Sequence, residues 1–132
     1  MWDDLKYEDE RANFDPAKPR PVDAVKPDKE LLSYYIKLTA MRKENPVLSE
    51  GEVNFLVADD EKMVLAYSRT DGKDEIVAVF NRSDKEQSVT VPLKANLGYK
   101  EIFPSSENIF KTADAGLEIK LKPLTGIVLK RQ

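Results

Sequence analysis

The sequence predicts a mainly β fold: an antiparallel β-sandwich of seven to eight strands, preceded by one long α-helix and an extended N-terminal arm. Three observations carry this. The hydrophobic period changes from about 3.6 to about 2 once the helix ends. Short β-branched and aromatic runs then recur at roughly 8–12-residue spacing, with turn signals between them. Ahead of the helix, four of the eight prolines fall within the first 27 residues, where apolar residues are sparse and aperiodic.

The arm comes first, residues 1–27, with Pro16, Pro19, Pro21 and Pro27. FDPAKPRPV, residues 14–22, reads as polyproline-like or turn backbone. Trp2, Tyr7 and Phe14 are the side chains suited to pin it to a surface. The helix is expected over residues 28–45, ELLSYYIKLTAMRKE with its flanks. Asp28 is the N-cap, Glu30 lies at the positive end of the dipole, and Arg42 and Lys43 lie at the negative end. Asn45-Pro46 stops it, because a residue before proline avoids the α region. At about 100° per residue, Leu31, Tyr35, Leu38 and Arg42 fall on one line. Tyr34 and Met41 flank that line on one side, and Leu32, Ile36 and Thr39 on the other. The polar sector of Glu30, Ser33, Lys37 and Glu44 is narrow. The apolar arc exceeds the roughly 100° stripe of an ordinary surface helix, so this helix calls for a partner on each side.

The sandwich is expected over residues 46–132. Strand candidates are GEVNFLVA (51–58), MVLAYSR (63–69), EIVAVFN (75–81), SVTVPL (88–93), GYKEIF (98–103), GLEIKL (116–121) and TGIVLKR (125–131). A short extra strand at 108–110 would make eight. EIVAVFN is almost continuously apolar, which marks a central strand buried on both faces. Pro92 marks a strand end or an edge. The isolated glycines sit at strand boundaries and form no phosphate loop.

Composition excludes several function classes. Hydrophobic residues make up 41% and charged residues 34%, an ordinary globular balance. A net charge of −3 offers no basic face for nucleic acid. No window approaches the roughly 20 apolar residues of a membrane span. The acidic start, MWDDLKYEDER, lacks the apolar core of a secretory signal. With no cysteine and no histidine, Ser-His-Asp and Cys-His catalysis are ruled out by counting.

The remaining polar clusters read as solvated surface. Asp3-Asp4, Glu8-Asp9-Glu10 and Asp59-Asp60-Glu61 have no apolar flank to raise a carboxyl pKa. The last of these also lacks the spacing and the glycine of a calcium loop. No metal and no cofactor is expected. Tyr34 and Tyr35 read as packing residues, while Tyr67 and Tyr99 could face either way in their alternating strands. Asn81-Arg82-Ser83 fits the N-glycosylation pattern, a weak signal by itself.

The order of segments carries a resemblance. An arm beginning Met1-Trp2-Asp3 leads to ELLSYYIKLTAMRKENPVL, then GEVNFLVADD, then IVAVFNRS, and finally LEIKLKPLTGIVLK. This closely resembles the C-terminal end of α-amylase-family glycoside hydrolases, nearest the neopullulanase, cyclomaltodextrinase and maltogenic amylase branch. The resemblance covers essentially the whole chain and is looser across 84–115. It implies a Greek-key sandwich of the domain C type, entered from the last helix of a catalytic (β/α)8 barrel. The arm would be the connection after the last barrel strand, with Trp2 and Asp3 at the rim of the substrate cleft. Leu31, Leu32, Tyr34, Tyr35, Ile36, Leu38 and Met41 would be barrel or domain packing residues. The family's catalytic carboxylates lie in the barrel, so the resemblance carries no catalytic residue onto this chain.

The expectation is therefore a non-catalytic domain that stabilises a barrel, in a parent that hydrolyses α-glucosidic bonds of starch- or maltodextrin-type glucans. Its partner is that barrel; self-association through the exposed helix or arm, and weak glucan contact, are secondary expectations. Two rivals remain. A stand-alone carbohydrate-binding module would show two or three coplanar exposed aromatics. A generic immunoglobulin-like interaction domain would close its helix fully onto its own sandwich.

Overall fold

The computed structural model describes residues 17, 28–93, 98–103, 108–113 and 116–132. The expectations for Trp2, Asp3, Tyr7 and Phe14 lie outside them. The chain divides into two units, residues 1–37 and 38–132.

Helix α1 spans Lys29–Glu44. Its start is set by Asp28, whose Oδ1 accepts from the Leu31 amide at 2.9 Å. Its end is fixed by Asn45, whose Nδ2 donates to the Met41 carbonyl at 2.8 Å and so satisfies one of the orphaned last-turn acceptors. Pro46 does not end helical structure altogether. It adopts φ −54° and starts a second short helix, α2 (Val47–Glu50). Four residues carry no period, and proline at a helix start already has the right φ, so nothing but Pro46 itself signals α2 in advance.

Eight strands follow among the described residues: β1 Glu52–Asp59, β2 Val64–Thr70, β3 Glu75–Asn81, β4 Gln87–Val91, β5 Tyr99–Phe103, β6 Ile109–Ala113, β7 Gly116–Leu121 and β8 Thr125–Arg131. All pairings are antiparallel. They form a five-stranded sheet, β1-β2-β3-β8-β5, and a three-stranded sheet, β4-β7-β6. As its apolar run requires, β3 is the middle strand of the larger sheet. Pro92 follows the last residue of β4, an edge strand.

Alternation sorts the side chains into two layers. Val64, Ala66, Val77, Val79, Ile127 and Leu129 point from the large sheet toward Val91, Leu117, Ile119 and Leu121 of the small one. This is the main core, and burying each of its Val, Leu and Ile side chains contributes roughly 1.5–3 kcal/mol. The opposite register positions of the large sheet, Ile76, Ala78 and Val128, make a second cluster with Val47 of α2. Met41 and Leu48 pack against that cluster. Strand β3 is thus covered by a sheet on one side and, over Ile76 and Ala78, by helical turns on the other.

Candidate functional site

The helical segment is positioned from its C-terminal end. Lys130 on β8 donates to Asn45 Oδ1 at 3.1 Å, and Asn45 is buried. Arg69 on β2 donates through Nη2 to the Ser49 carbonyl at 3.0 Å, and its Nε is buried with no acceptor among the described residues. Gly51 is required where α2 turns into β1, since a Cβ there would stand 2.7 Å from the Val47 side chain and carbonyl oxygen.

No residue of α1 is buried. Leu31, Leu32, Tyr34, Tyr35 and Ile36 are each half exposed or more, and only Leu38 and Met41 are half-buried. Tyr34 and Tyr35 meet edge to face, with ring centroids 6.4 Å apart. Both tyrosine rings remain half exposed or more. Among the described residues, Met41 is the one of the seven helix residues that packs against a core cluster.

A second exposed apolar surface lies on the outward face of the large sheet. Phe55 and Tyr67 are register partners on β1 and β2, with ring centroids 6.4 Å apart. Tyr67 stacks on Phe80 of β3 at 6.2 Å. The Phe80 ring lies over Gly126, where a Cβ would come within 2.6 Å of it. Phe55 is 73% exposed, and Val53, Leu65 and Phe80 are also exposed. Of these three rings only Tyr67 is conspicuous in the sequence; Phe55 and Phe80 are not. Their signal was the alternation Val53/Phe55 and Leu65/Tyr67, set beside a central strand that ends in phenylalanine.

The polar clusters are structural. Tyr99 is buried and donates to Glu75 Oε2 at 3.0 Å, and Arg131 reaches the same carboxylate at 3.6 Å. Burial first, and then the Glu75 charge and hydrogen bond, push the Tyr99 phenol up to about 12. Arg131 also donates to the Lys73 carbonyl. Asp71 Oδ1 accepts from the amides of Asp74 and Lys73, which lowers its pKa and closes the β2–β3 turn. Asp59 Oδ1 likewise accepts from the Lys62 amide, at 2.8 Å, in the β1–β2 turn. Asn81 is buried with its amide committed to the Lys85 and Lys122 carbonyls, so it is no glycan acceptor in the folded chain. Among the described residues, no group of three or more Asp, Glu, His or Cys could hold a metal, and no helix is long and apolar enough to cross a membrane.

What fold and surface define together is an antiparallel β-sandwich domain with exposed apolar side chains on α1 and on the large sheet, and no catalytic domain is evident among the described residues. Residues 53–126 match the family described as the C-terminal domain of maltogenic amylase, and the chain belongs to that family. A cyclomaltodextrinase from Geobacillus thermopakistaniensis is 38% identical over 73 residues, which is 55% of this chain and 12% of that protein. An α-amylase from Streptomyces lividans is 28% identical over 96 residues, 70% of this chain and 10% of its own. Among solved structures, an α-amylase from Geobacillus thermoleovorans superposes with a TM-score of 0.71 at 20% identity, over 84% of this chain and 25% of that one; it speaks for the fold. Isomaltulose synthase from Erwinia rhapontici gives 0.63 at 27% identity, over 77% of this chain and 18% of its own. The chain therefore spans a small fraction of the relatives it matches.

Proposed function

We propose that this chain is the non-catalytic C-terminal part of an α-amylase-family glycoside hydrolase and that it stabilises the catalytic barrel. In this reading residues 1–27 are the connection after the last barrel strand, 28–45 the last barrel helix, and 46–132 the sandwich. The observation that carries it is α1: a helix with no buried residue and with Leu31, Leu32, Tyr34, Tyr35 and Ile36 all exposed. Water is a poor partner for such an arc, and a barrel is the kind of neighbour that would cover it. The parent hydrolyses α-glucosidic bonds of starch- or maltodextrin-type glucans by the retaining two-carboxylate mechanism, with Trp2 and Asp3 at the cleft rim.

The test is the coding DNA upstream of Met1, followed by assay of the intact product on maltodextrin. A continuous frame of several hundred codons encoding strand–helix repeats supports the reading. A stop codon and ribosome-binding site directly ahead of Met1 defeats it. The binding-module reading is favoured by one observation, the stacked Tyr67 and Phe80 rings. Against it, the outward positions between them, Val53, Leu65, Ala78 and Gly126, carry no group to meet sugar hydroxyls. Retention of the chain on amylose would bring that reading forward.

A further inference from the structure

The turn between β2 and β3 is built on Asp71-Gly72, the one Asp-Gly pair in a sequence that has no Asn-Gly. The backbone demands both residues. Gly72 sits at φ 87°, in the region that favours glycine. Asp71 Oδ1 reaches forward to accept from the Lys73 amide at 2.9 Å and the Asp74 amide at 2.7 Å, as aspartate does in turns. Chemistry makes the same pair vulnerable. The backbone nitrogen that follows an aspartate can attack its Cγ and close a five-membered succinimide, and a glycine nitrogen is the least shielded. Asp71, Gly72 and Lys73 are exposed, and a Cβ at Gly72 would meet nothing within 4 Å. The attacking amide is nevertheless tied back. Gly72 N–H donates to Thr70 Oγ1 at 3.1 Å, and that hydroxyl donates to the Asp74 carbonyl at 3.0 Å. The Asp71 amide donates to the same carbonyl at 3.3 Å, so every amide from Asp71 to Asp74 has an acceptor within the turn.

We propose that Asp71 is a site of isoaspartate formation that opens when the sandwich unfolds, and that the Thr70 hydroxyl holds it closed in the folded chain. In the reaction the Gly72 nitrogen forms a bond to Asp71 Cγ. The Cγ–OH bond breaks, and the hydroxyl leaves with the amide proton as water. A second water then reopens the ring. Attack at the Asp71 backbone carbonyl leaves the main chain running through Cβ and Cγ, which is isoaspartate; attack at Cγ restores aspartate. One water is lost and one regained, and nothing is oxidised or reduced. The product carries a free α-carboxylate beside the main chain, the group that isoaspartyl carboxyl methyltransferases recognise. In the fold, ring closure meets two obstacles. The nitrogen must first give up Thr70 Oγ1, and the carboxyl must leave the Asp74 and Lys73 amides. Those two bonds, the one from Asp74 foremost, also hold the carboxyl below its usual pKa, so the neutral acid whose hydroxyl departs is scarce. The turn thus requires the most reactive dipeptide and suppresses its reaction with the same hydrogen bonds that shape it.

The experiment ages the whole 132-residue chain in near-neutral buffer, once folded and once held unfolded in guanidinium chloride. Isoaspartate is read by enzymatic carboxyl methylation and placed by fragmentation of the derived peptides. Three hydrogen bonds must break before the folded turn can react, so the folded chain is expected to gain isoaspartate at Asp71 at least about tenfold more slowly than the unfolded one. Thr70→Val keeps the side-chain shape and removes the hydroxyl; it is expected to raise the folded rate about three- to tenfold. Thr70→Ser restores the hydroxyl and is expected to stay near the parent. Both variants are aged well below their melting transitions, so that a freed turn is not confused with a lost fold. Asp71→Glu, whose side chain is too long to close the five-membered ring, is expected to abolish the signal. Equal rates in the folded and unfolded parent would overturn the proposal, as would isoaspartate mapped to another residue. Equal rates in Thr70→Val and Thr70→Ser would overturn the role given to the hydroxyl.

Discussion

Asn81 gathers one end of the sandwich. Its Nδ2 donates to the Lys85 carbonyl at 2.7 Å and to the Lys122 carbonyl at 2.9 Å, while its Oδ1 accepts from the Ser83 amide and hydroxyl. Both donors and the acceptor of the amide are used inside the protein, where an unmet group costs about 1–3 kcal/mol. Asn81→Asp keeps the shape but sets a carboxylate against two carbonyl oxygens. It is expected to lower stability by about 2–4 kcal/mol in urea unfolding, and a change below about 0.5 kcal/mol would refute this role. From the sequence, this residue stood out only as a member of a glycosylation pattern and of the segment IVAVFNRS. Its bond to Lys122, 41 residues away, is a property of the folded chain and invisible to local pattern. Tyr99 is the titrating counterpart. Its folded pKa is raised to about 12 against an ordinary value of 10.0. The neutral phenol is thus favoured by folding: the contribution is complete below about pH 10 and is lost as pH rises from there through about 12. Stability measured across that window should fall in the parent chain and fall less in Tyr99→Phe. Parallel pH profiles would show that the buried Tyr99 phenol is not what ties stability to pH.

Elements were legible where the period was strong and breakers bracketed it. The strand EIVAVFN was placed at the centre from its apolar run alone, and the sheet order agrees. The short extra strand expected at 108–110 is longer, running Ile109–Ala113 with Thr112 and Ala113 opposite Leu117 and Gly116. Lys111 and Thr112 interrupt the apolar pattern there, so cross-strand pairing rather than propensity extends it. The short helix α2 was missed because proline punctuated the sequence without ending the fold. Close backbone approach is equally hard to read from sequence. Gly116 opens β7 at φ 130°, and a Cβ there would stand 2.2 Å from the Val91 carbonyl oxygen of β4. That backbone is held by the β4–β7 ladder and has little room to move. Gly116→Ala is expected to cost about 2–4 kcal/mol, from the strained φ and the overpacking together. A melting temperature within a degree or two of the parent would show that the ladder yields. By contrast, a Cβ at Gly72, also at positive φ, meets nothing within 4 Å, so an alanine there bears only the backbone strain.

At the scale of the whole chain, the over-apolar helix and the aromatic band lead to the same physical consequence. Leu31, Leu32 and Ile36 on α1, and Phe55 and Phe80 on the large sheet, are exposed side chains that a self-sufficient domain would keep covered. The sequence made the helix conspicuous because its apolar arc is too wide. It hid the band, because three successive strands each contribute one aromatic and only their register brings the rings to within 6.2 and 6.4 Å. In isolation the chain is expected to associate at high concentration through these surfaces. Sedimentation equilibrium should give an apparent mass above 15.0 kDa that rises with concentration. Leu31→Ser with Ile36→Ser should weaken that association if the helix drives it, and Phe55→Ser with Phe80→Ser should do so if the sheet does. The association is hydrophobic, so it should strengthen on warming from near 0 °C and should not be abolished by salt, unlike one built on surface ion pairs. A mass that stays at the monomer value across the concentration range, with α1 amides strongly protected from hydrogen exchange, would mean that the chain covers its own apolar surfaces. The case for a missing catalytic partner would then lose its physical motive and rest on family membership alone.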